Sequence, residues 1–244
     1  MTDRGSGSSG GAVERHPHLA ASRPPGRLRL DCHLHTMWSG DSTTTPDELA
    51  EAVAEARLDV VCITDHSTIE GALAMRSALN CRVVIGQEQR TPSGELIGLF
   101  LSERIPPGLR SARDTALAIR DQGGLVYVPH PFDPIRHHLE EAVFEELAQG
   151  GLVDAVEVRN GKTSLEHLNE RAARAAERFG LPGGAGSDAH VPEAVGSVYV
   201  EVDDFNDGPS FLHALRGGQV VGHHFDGPRR FRSRVVPSTS NYRR

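Results

Sequence analysis

Short apolar runs alternate with longer amphipathic stretches from Arg27 onward, and this alternation limits the folds open to the chain more than any other feature. The runs are almost continuously apolar, which is typical of strands that are buried on both faces. Strands that alternate with helices indicate a parallel α/β architecture, either a barrel or a doubly wound sheet. The predicted strands are residues 28–32, 60–64, 82–86, 96–101, 125–129, 153–158 and 198–202.

The clearest helix signal stands at the start of residues 46–57. Thr45 and Glu48 have the spacing of a capping box, and Pro46 occupies the first helical position, where a missing N–H is tolerated. Several later amphipathic stretches end at glycine, which favours the left-handed conformation that closes many helices. The other predicted helices are residues 111–122, 138–149, 164–179 and 209–216.

Three regions of the chain differ in composition. Residues 1–26 are rich in Gly, Ser, Pro and Arg without a hydrophobic period, which predicts a disordered leader. Residues 27–222 have the length of one domain, since α/β barrels run to about 250 residues in a single unit. Residues 223–244 form an arginine-rich tail that we predict to be flexible and solvated.

Composition argues against several classes of protein. No apolar run approaches the roughly 20 residues that cross a bilayer, and the first residues lack the apolar stretch of a secretory signal. The three cysteines, Cys32, Cys62 and Cys81, form no CxxC pair, so we interpret them as reduced core residues of a cytoplasmic protein. The formal net charge of -7 argues against binding of extended nucleic acid, although a basic patch in the tail remains an alternative.

Histidines and acidic residues follow directly after the predicted strands. The carboxyl ends of parallel strands converge on one mouth of an α/β fold, so residues that are distant in sequence are expected to meet there. Imidazoles combined with carboxylates suit Zn, Mn or Fe better than Ca or Mg. An isolated His-x-His would be as readily structural, but several strand ends with such residues predict a metal site. The residues concerned are His33, His35, Asp65, His66, Glu88, His130, Asp188 and His190.

The motifs around these residues resemble the PHP (polymerase and histidinol phosphatase) superfamily of phosphoesterases, in particular its small stand-alone, metal-dependent members. They occur in the family's order and span roughly residues 28–222: Asp31-Cys-His33-Leu-His35-Thr, Ser39-Gly-Asp41-Ser, Ile63-Thr-Asp65-His66, Gly86-Gln-Glu88, His130-Pro-Phe-Asp133 and Gly186-Ser-Asp188-Ala-His190. The resemblance implies a distorted seven-stranded (β/α) barrel that holds two or three divalent ions, Mn, Fe or Zn.

The resemblance also implies a set of ligands. The first ion would be held by His33, His35, Glu88 and Asp188, and the second by Asp41, His66 and His190. Glu88 would bridge to a third ion that His130 also holds. The family commonly has a histidine as the remaining ligand of that ion, whereas Glu95 occupies the matching position here. Glu95 is therefore either a carboxylate ligand or an exposed turn residue.

The function implied is hydrolysis of the phosphate monoester of a small metabolite, such as a nucleotide, nucleoside or sugar phosphate. A metal-bound water held by His33, His35, Glu88, Asp188, His66 and His190 would attack phosphorus. Arg136, Asn160 and Lys162 are predicted to bind the phosphorylated substrate, with a surface role as the alternative. The other readings are a PHP-type nuclease that acts on short oligonucleotides and a non-catalytic PHP binding module. The oligomeric state does not follow from the sequence.

Two further expectations concern polar residues near the motifs. Asp65 is predicted to orient a ligand histidine, or alternatively to cap the following helix. The histidines that do not follow strands are predicted to lie at the surface: His16, His18, His137, His138, His167, His213, His223 and His224.

Overall fold

The computed structural model describes residues 11–226. Within that range the strands are β1 (Leu28–Leu34), β2 (Val60–Ile63), β3 (Arg82–Thr91), β4 (Gly94–Leu99), β5 (Leu125–Val128), β6 (Ala155–Asn160), β7 (Gly183–Gly186), β8 (Val198–Val202) and β9 (Gln219–Gly222). They form one sheet in the order β7-β6-β5-β4-β3-β2-β1-β8-β9. β1, β2 and β3 run parallel, as do β5, β6 and β7, whereas β4 is antiparallel to both of its neighbours.

The helices cover the outside of this sheet. In the described range they are α1 (Gly11–Arg15), α2 (Pro46–Ala56), α3 (Glu70–Ala78), α4 (Ala112–Asp121), α5 (Glu141–Gln149), α6 (Glu166–Phe179) and α7 (Gly208–Arg216). The predicted capping box is present, since the Glu48 backbone N–H donates to Thr45 Oγ1 and the Thr45 N–H donates to Glu48 Oε2. None of the helices between residues 11 and 226 combines the length and apolarity that crossing a bilayer requires.

The sheet curls into a nearly closed barrel because the chain after β7 returns to β1. The Asp188 N–H donates to the His33 carbonyl at 2.7 Å, and the His35 N–H donates to the Ala189 carbonyl at 3.0 Å. Side chains such as Leu30, Tyr127 and Val200 fill the interior and are fully buried. The predicted α/β barrel class is therefore confirmed.

The predicted strand count was too low, since the described residues contain nine strands instead of seven. The missed strands are β7 and β9. A Cβ at Gly186 would lie 2.6 Å from His33 Cβ, and one at Gly184 would lie 2.6 Å from the Tyr127 ring. The close approach of β7 to its neighbours thus requires glycine, a residue that strand propensity disfavours.

The prediction of a disordered leader is wrong for residues 11–20. α1 and a 3₁₀ turn at Pro17–Ala20 pack on the barrel, with Leu19 1% exposed, and Arg15 pairs with Glu55 of α2 at 3.2 Å. A few apolar side chains anchor this segment to a surface already formed by other elements, although they show no hydrophobic period. Residues 1–10 and, of the predicted tail, residues 227–244 lie outside the described part of the chain.

Two of the histidines predicted to lie at the surface are in fact covered. His16 is fully buried and donates from Nε2 to the Glu193 carbonyl at 2.9 Å, and the half-buried His18 donates to the Gly196 carbonyl at 2.9 Å. The ring of His223 lies 5.1 Å from that of His18. The remaining members of this set are exposed or half-buried.

The cysteines are free thiols, as predicted. Cys32 of β1 and Cys62 of β2 are fully buried in the barrel interior, and Cys81 is half-buried.

Candidate metal centre

The nine residues predicted as metal ligands come together at one mouth of the barrel. They lie at or just after the ends of β1, β2, β5 and β7, within β3 and β4, or in the loop after β1. Among the described residues they form overlapping groups in which every ligand atom lies within 4.8 Å of the others. The groups are His33, His35 and Asp188; His35, Asp41, His66 and His190; His33, Glu88 and His130; and His66, Glu88 and Glu95.

The first group is deeply buried. The Nε2 atoms of His33 and His35 are 3.0 Å apart, and Asp188 Oδ1 lies 3.7 Å from the former and 3.4 Å from the latter. Glu88 Oε2 lies 3.4 and 3.2 Å from the same two nitrogens. The two imidazole nitrogens predicted for the first ion therefore lie within 3.7 Å of a carboxylate oxygen of both Asp188 and Glu88.

The second group lies closer to solvent. Asp41 Oδ2 is 3.3 Å from Nε2 of both His66 and His190, and the Asp41 side chain is 48% exposed. His35 belongs to this group as well, although the resemblance assigned it to the first ion only. His35 thus lies between the first and second groups.

The third group centres on Glu88, whose Oε1 lies 3.0 Å from His130 Nε2. Glu95 is 3% exposed, and its carboxylate lies 3.7 Å from His130 Nε2 and 3.9 Å from His66 Nδ1. The alternative of an exposed turn residue is therefore wrong for Glu95. Its carboxylate is available to an ion, although it also pairs with Arg90 Nε at 3.0 Å.

These donor atoms fit divalent ions in spacing and in charge. Ligands bound at about 2.0–2.2 Å from an ion lie about 3.0–3.6 Å from one another, which matches most separations within the groups. Ionised carboxylates are costly to bury unless cations compensate them, and Glu88, Glu95 and Asp188 are each at most 3% exposed. The donor set therefore fits metal ions of the type that bind imidazole and carboxylate.

Electrostatic shifts show how strongly the carboxylates dominate the cluster. Burial alone would lower the pKa of His33, but three carboxylates, led by Asp188, raise it well above its usual value. Burial would raise the pKa of Glu88, yet the charge of His33 and the hydrogen bond from His130 hold it well below its usual range. For Asp188 the effect of burial is outweighed first by the Lys162 ammonium, and the pKa is again lowered. The carboxylates are thus ionised and attract cations.

Three polar residues contact the candidate ligands or their backbone, although no role was predicted for them from the sequence. Asp31 accepts hydrogen bonds from the backbone N–H groups of His33 and Ser187, at 3.1 and 3.0 Å. Ser39 Oγ lies 2.9 Å from His35 Nδ1, so it can fix the orientation of that ring. Glu157 contacts His33 and His130. The available signal was an acidic residue inside an otherwise apolar strand, as in both β1 and β6.

Asp65 has a different role from the one predicted. Its carboxylate is fully buried and accepts hydrogen bonds from the Thr36 backbone N–H at 2.6 Å and from the Thr36 hydroxyl at 2.7 Å. The structure shows neither a hydrogen bond from a ligand histidine nor a side-chain cap on α3. Asp65 instead ties the end of β2 to the segment that follows His35.

A cleft with a volume of about 140 Å³ opens above the ligands, and its rim is cationic. Arg90, Arg136 and Lys162 line it together with ligand side chains, and His137 lies at the exposed edge. Lys162 Nζ is 3.0 Å from His190 Nδ1 and 3.4 Å from Asp188 Oδ1. Two of the three predicted substrate-binding residues therefore face the cleft, and Arg90 lines it as well although no motif in the sequence indicated it.

The third, Asn160, does not line the cleft. It is 2% exposed, and its amide donates to Glu157 Oε2 at 2.9 Å and to Asp188 Oδ2 at 3.3 Å. This position contradicts the prediction of substrate contact, because Asn160 is the last residue of β6 and its buried amide contacts Asp188. Asn160 orients a candidate ligand instead.

Comparisons with known proteins agree with this geometry. The PHP domain family matches residues 31–95, and the PHP-associated family matches residues 166–220. One uncharacterized protein of Methanocaldococcus jannaschii is 38% identical over 131 residues, 48% of this chain and 76% of that protein. A second is 34% identical over 181 residues, 73% of this chain and 72% of that protein.

A solved structure shares the fold. It is a two-domain protein from Bacteroides vulgatus containing a predicted PHP-like metal-dependent phosphoesterase, and it aligns with a TM-score of 0.66 at 18% identity. The alignment covers 83% of this chain and 67% of that one. With two relatives above 30% identity that are matched over most of their length, this chain belongs to the PHP domain family.

Proposed function

We propose that this chain is a metal-dependent phosphoesterase that hydrolyses the phosphate monoester of a small metabolite, such as a nucleotide, nucleoside or sugar phosphate. One observation carries the proposal: overlapping groups of imidazole and carboxylate ligands form the floor of a cleft whose rim carries Arg90, Arg136 and Lys162. The Bacteroides vulgatus protein that shares this fold contains a predicted PHP-like metal-dependent phosphoesterase, which supports the same class of reaction.

The ligand groups would hold two or three divalent ions, Mn, Fe or Zn. When bound, such ions neutralise charge on phosphoryl oxygens and make a water nucleophile available at neutral pH. The residues concerned are His33, His35, Glu88 and Asp188 for one ion; His35, Asp41, His66 and His190 for a second; and His33, Glu88, His130 and Glu95 for a third.

The cationic rim would bind the phosphate and fix its orientation. A guanidinium can donate two parallel hydrogen bonds to phosphate oxygens, and Arg136 presents one at the cleft. The Lys162 ammonium lies beside Asp188 and His190, where it can donate to a non-bridging oxygen of a phosphoryl group at the ligand cluster. Together these groups would hold the phosphorus atom over the candidate metal ligands.

The size of the cleft favours a small substrate over an oligonucleotide. Its volume of about 140 Å³ is smaller than the roughly 300–1,000 Å³ of pockets that enclose drug-sized ligands. The formal net charge of -7 also disfavours long contacts with a nucleic-acid backbone. The free cysteines support a reducing, cytoplasmic environment.

The proposal is tested by a substrate screen with protein reconstituted separately with Mn, Fe and Zn. We expect release of inorganic phosphate from a nucleoside monophosphate or sugar phosphate, and loss of that release after chelation or in Asp188→Ala. Preferential cleavage of a short oligonucleotide would favour a nuclease, and cleavage of amides alone would indicate a different hydrolase. A protein that binds metal but hydrolyses none of these substrates would favour a binding module.

A further inference from the structure

Glu157 of β6 is 1% exposed and lies against the candidate ligands without belonging to any of their groups. We infer that Glu157 is a positioning residue that holds ligands from three different strand ends in the orientation a metal ion requires. This inference rests on the metal centre of the proposed function.

The carboxylate of Glu157 contacts two ligands directly and is linked to a third through Asn160. Its Oε1 lies 3.2 Å from His33 Nδ1, and its Oε2 accepts the backbone N–H of His130 at 2.7 Å. Oε2 also accepts the Asn160 amide at 2.9 Å, and the same amide donates to Asp188 Oδ2 at 3.3 Å. One buried side chain thus connects the segments that follow β1, β5 and β7.

The contact with His33 selects one tautomer of its ring. The backbone N–H of His130 and the amide of Asn160 both donate to Oε2 of Glu157, and as a carboxylate Glu157 offers only acceptor oxygens to His33 Nδ1. His33 Nδ1 therefore carries the proton, and a neutral ring then keeps a lone pair on Nε2. That Nε2 faces His35 Nε2 at 3.0 Å and Glu88 Oε2 at 3.4 Å. The tautomer leaves the nitrogen inside the cluster free to bind an ion.

The contact with His130 supports an uncommon backbone conformation. His130 has φ +28°, which non-glycine residues adopt rarely and only where the surroundings hold them. Its N–H is held by Glu157, and in this conformation Nε2 lies 3.0 Å from Glu88 Oε1. Without the carboxylate, relaxation of this backbone would move the imidazole away from Glu88.

A purely structural role for Glu157 makes a different prediction from a positioning role. Residues that only join strands should alter the melting temperature and leave metal affinity unchanged. β6 is paired with β5 and β7 through its own backbone hydrogen bonds, so the sheet does not depend on this carboxylate. Metal affinity, measured separately from stability, therefore distinguishes the two roles.

The experiment is a titration of the metal-free chain with Co²⁺. Binding is measured by calorimetry and by the visible absorption of the bound ion. Glu157→Gln is compared with Glu201→Gln, which changes a buried glutamate of β8 that pairs with Arg29 at 3.6 Å and belongs to no ligand group. We expect Glu157→Gln to weaken Co²⁺ binding by about 10- to 100-fold and to alter the absorption spectrum. Glu201→Gln should retain the affinity and spectrum of the wild type, and Glu157→Asp should recover part of the affinity.

Wild-type affinity and spectrum in Glu157→Gln would overturn the inference while leaving the proposed function intact. If the wild type itself binds no Co²⁺, this result contradicts the proposed metal centre and, with it, the inference about Glu157. If Glu157→Gln does not fold, the Co²⁺ affinity of Glu157→Asp is compared with that of the wild type instead. This variant keeps the charge but shortens the side chain by one methylene, so a positioning role predicts weaker binding. Unchanged Co²⁺ affinity in that variant would equally contradict a positioning role.

Discussion

Replacing Gly186 by alanine should displace His33 and weaken metal binding. The new Cβ would lie 2.6 Å from both Cβ and backbone N of His33 and 3.0 Å from its Cα. Carbon atoms in contact are about 3.5–4.0 Å apart, so β7 and β1 would have to separate by roughly 1 Å. Backbone hydrogen bonds resist this movement, since the Gly161 N–H donates to the Gly186 carbonyl and the Asp188 N–H to the His33 carbonyl.

The expected magnitude follows from this overlap. Overpacking a core of this kind destabilises a protein by about 1–3 kcal/mol. At about 2–4 °C per kcal/mol for a chain of this size, the melting temperature should fall by roughly 2–12 °C. A displacement of about 1 Å at a reacting site can reduce turnover by roughly 100-fold. We therefore expect phosphatase activity and metal affinity to fall together.

The assay combines scanning calorimetry with a metal titration of the folded protein. The matched control is Gly217→Ala, because Gly217 has φ -96° and its Cβ would meet only the Ala214 carbonyl at 3.9 Å. That variant should behave as the wild type does. Wild-type melting temperature and metal affinity in Gly186→Ala would refute the reasoning that β7 is glycine-rich in order to approach His33.

Three further predictions concern other parts of the chain. Thr45→Ala removes one half of the capping box of α2 and should lower the free energy of unfolding by about 1 kcal/mol in urea denaturation; an unchanged midpoint would contradict this. Burial lowers the pKa of His16 to about 4, so its contribution to stability is complete above about pH 6.5 and decreases as the pH falls towards 4, by at most about 3 kcal/mol. His16→Gln should therefore show a smaller loss of stability than the wild type between pH 7 and pH 5, and parallel curves would count against it. Arg136→Ala should raise the KM for a phosphorylated substrate by about 10- to 100-fold with metal content unchanged, and an unaltered KM would exclude phosphate contact.

Most of the ligand cluster could be predicted because most of its members lie at or just after the ends of apolar strands. A histidine or carboxylate such as His66 or Asp188 is conspicuous there, and parallel strands bring their carboxyl ends to one mouth. The alternation of strands and helices predicted a parallel α/β architecture, either a barrel or a doubly wound sheet, and the resemblance to the PHP superfamily implied the barrel. The sequence next to each of these residues therefore indicates that its side chain is buried and lies at the same mouth of the barrel.

Other features depend on contacts between segments that are distant in the sequence. β7 is built from glycine because of the space left by His33 and Tyr127, and local propensity argues against a strand there. α3 starts at Glu70, and its N-cap residue Ile69 provides no side-chain cap, so no start signal marked this helix. Glu157 stands out in the sequence only as an acidic residue within β6, and its role depends on its contact with His33. These residues take their roles from the assembled barrel.

Metal content per chain tests the central claim most directly. The full-length protein would be stripped with a chelator, dialysed separately against Mn, Fe or Zn, and measured by elemental analysis beside His35→Ala and Asp188→Ala. The arrangement of ligand groups predicts two or three ions per chain in the wild type and fewer in both variants, which should stay folded. A wild type that retains no ion, or variants that retain as many ions as the wild type, would contradict the account.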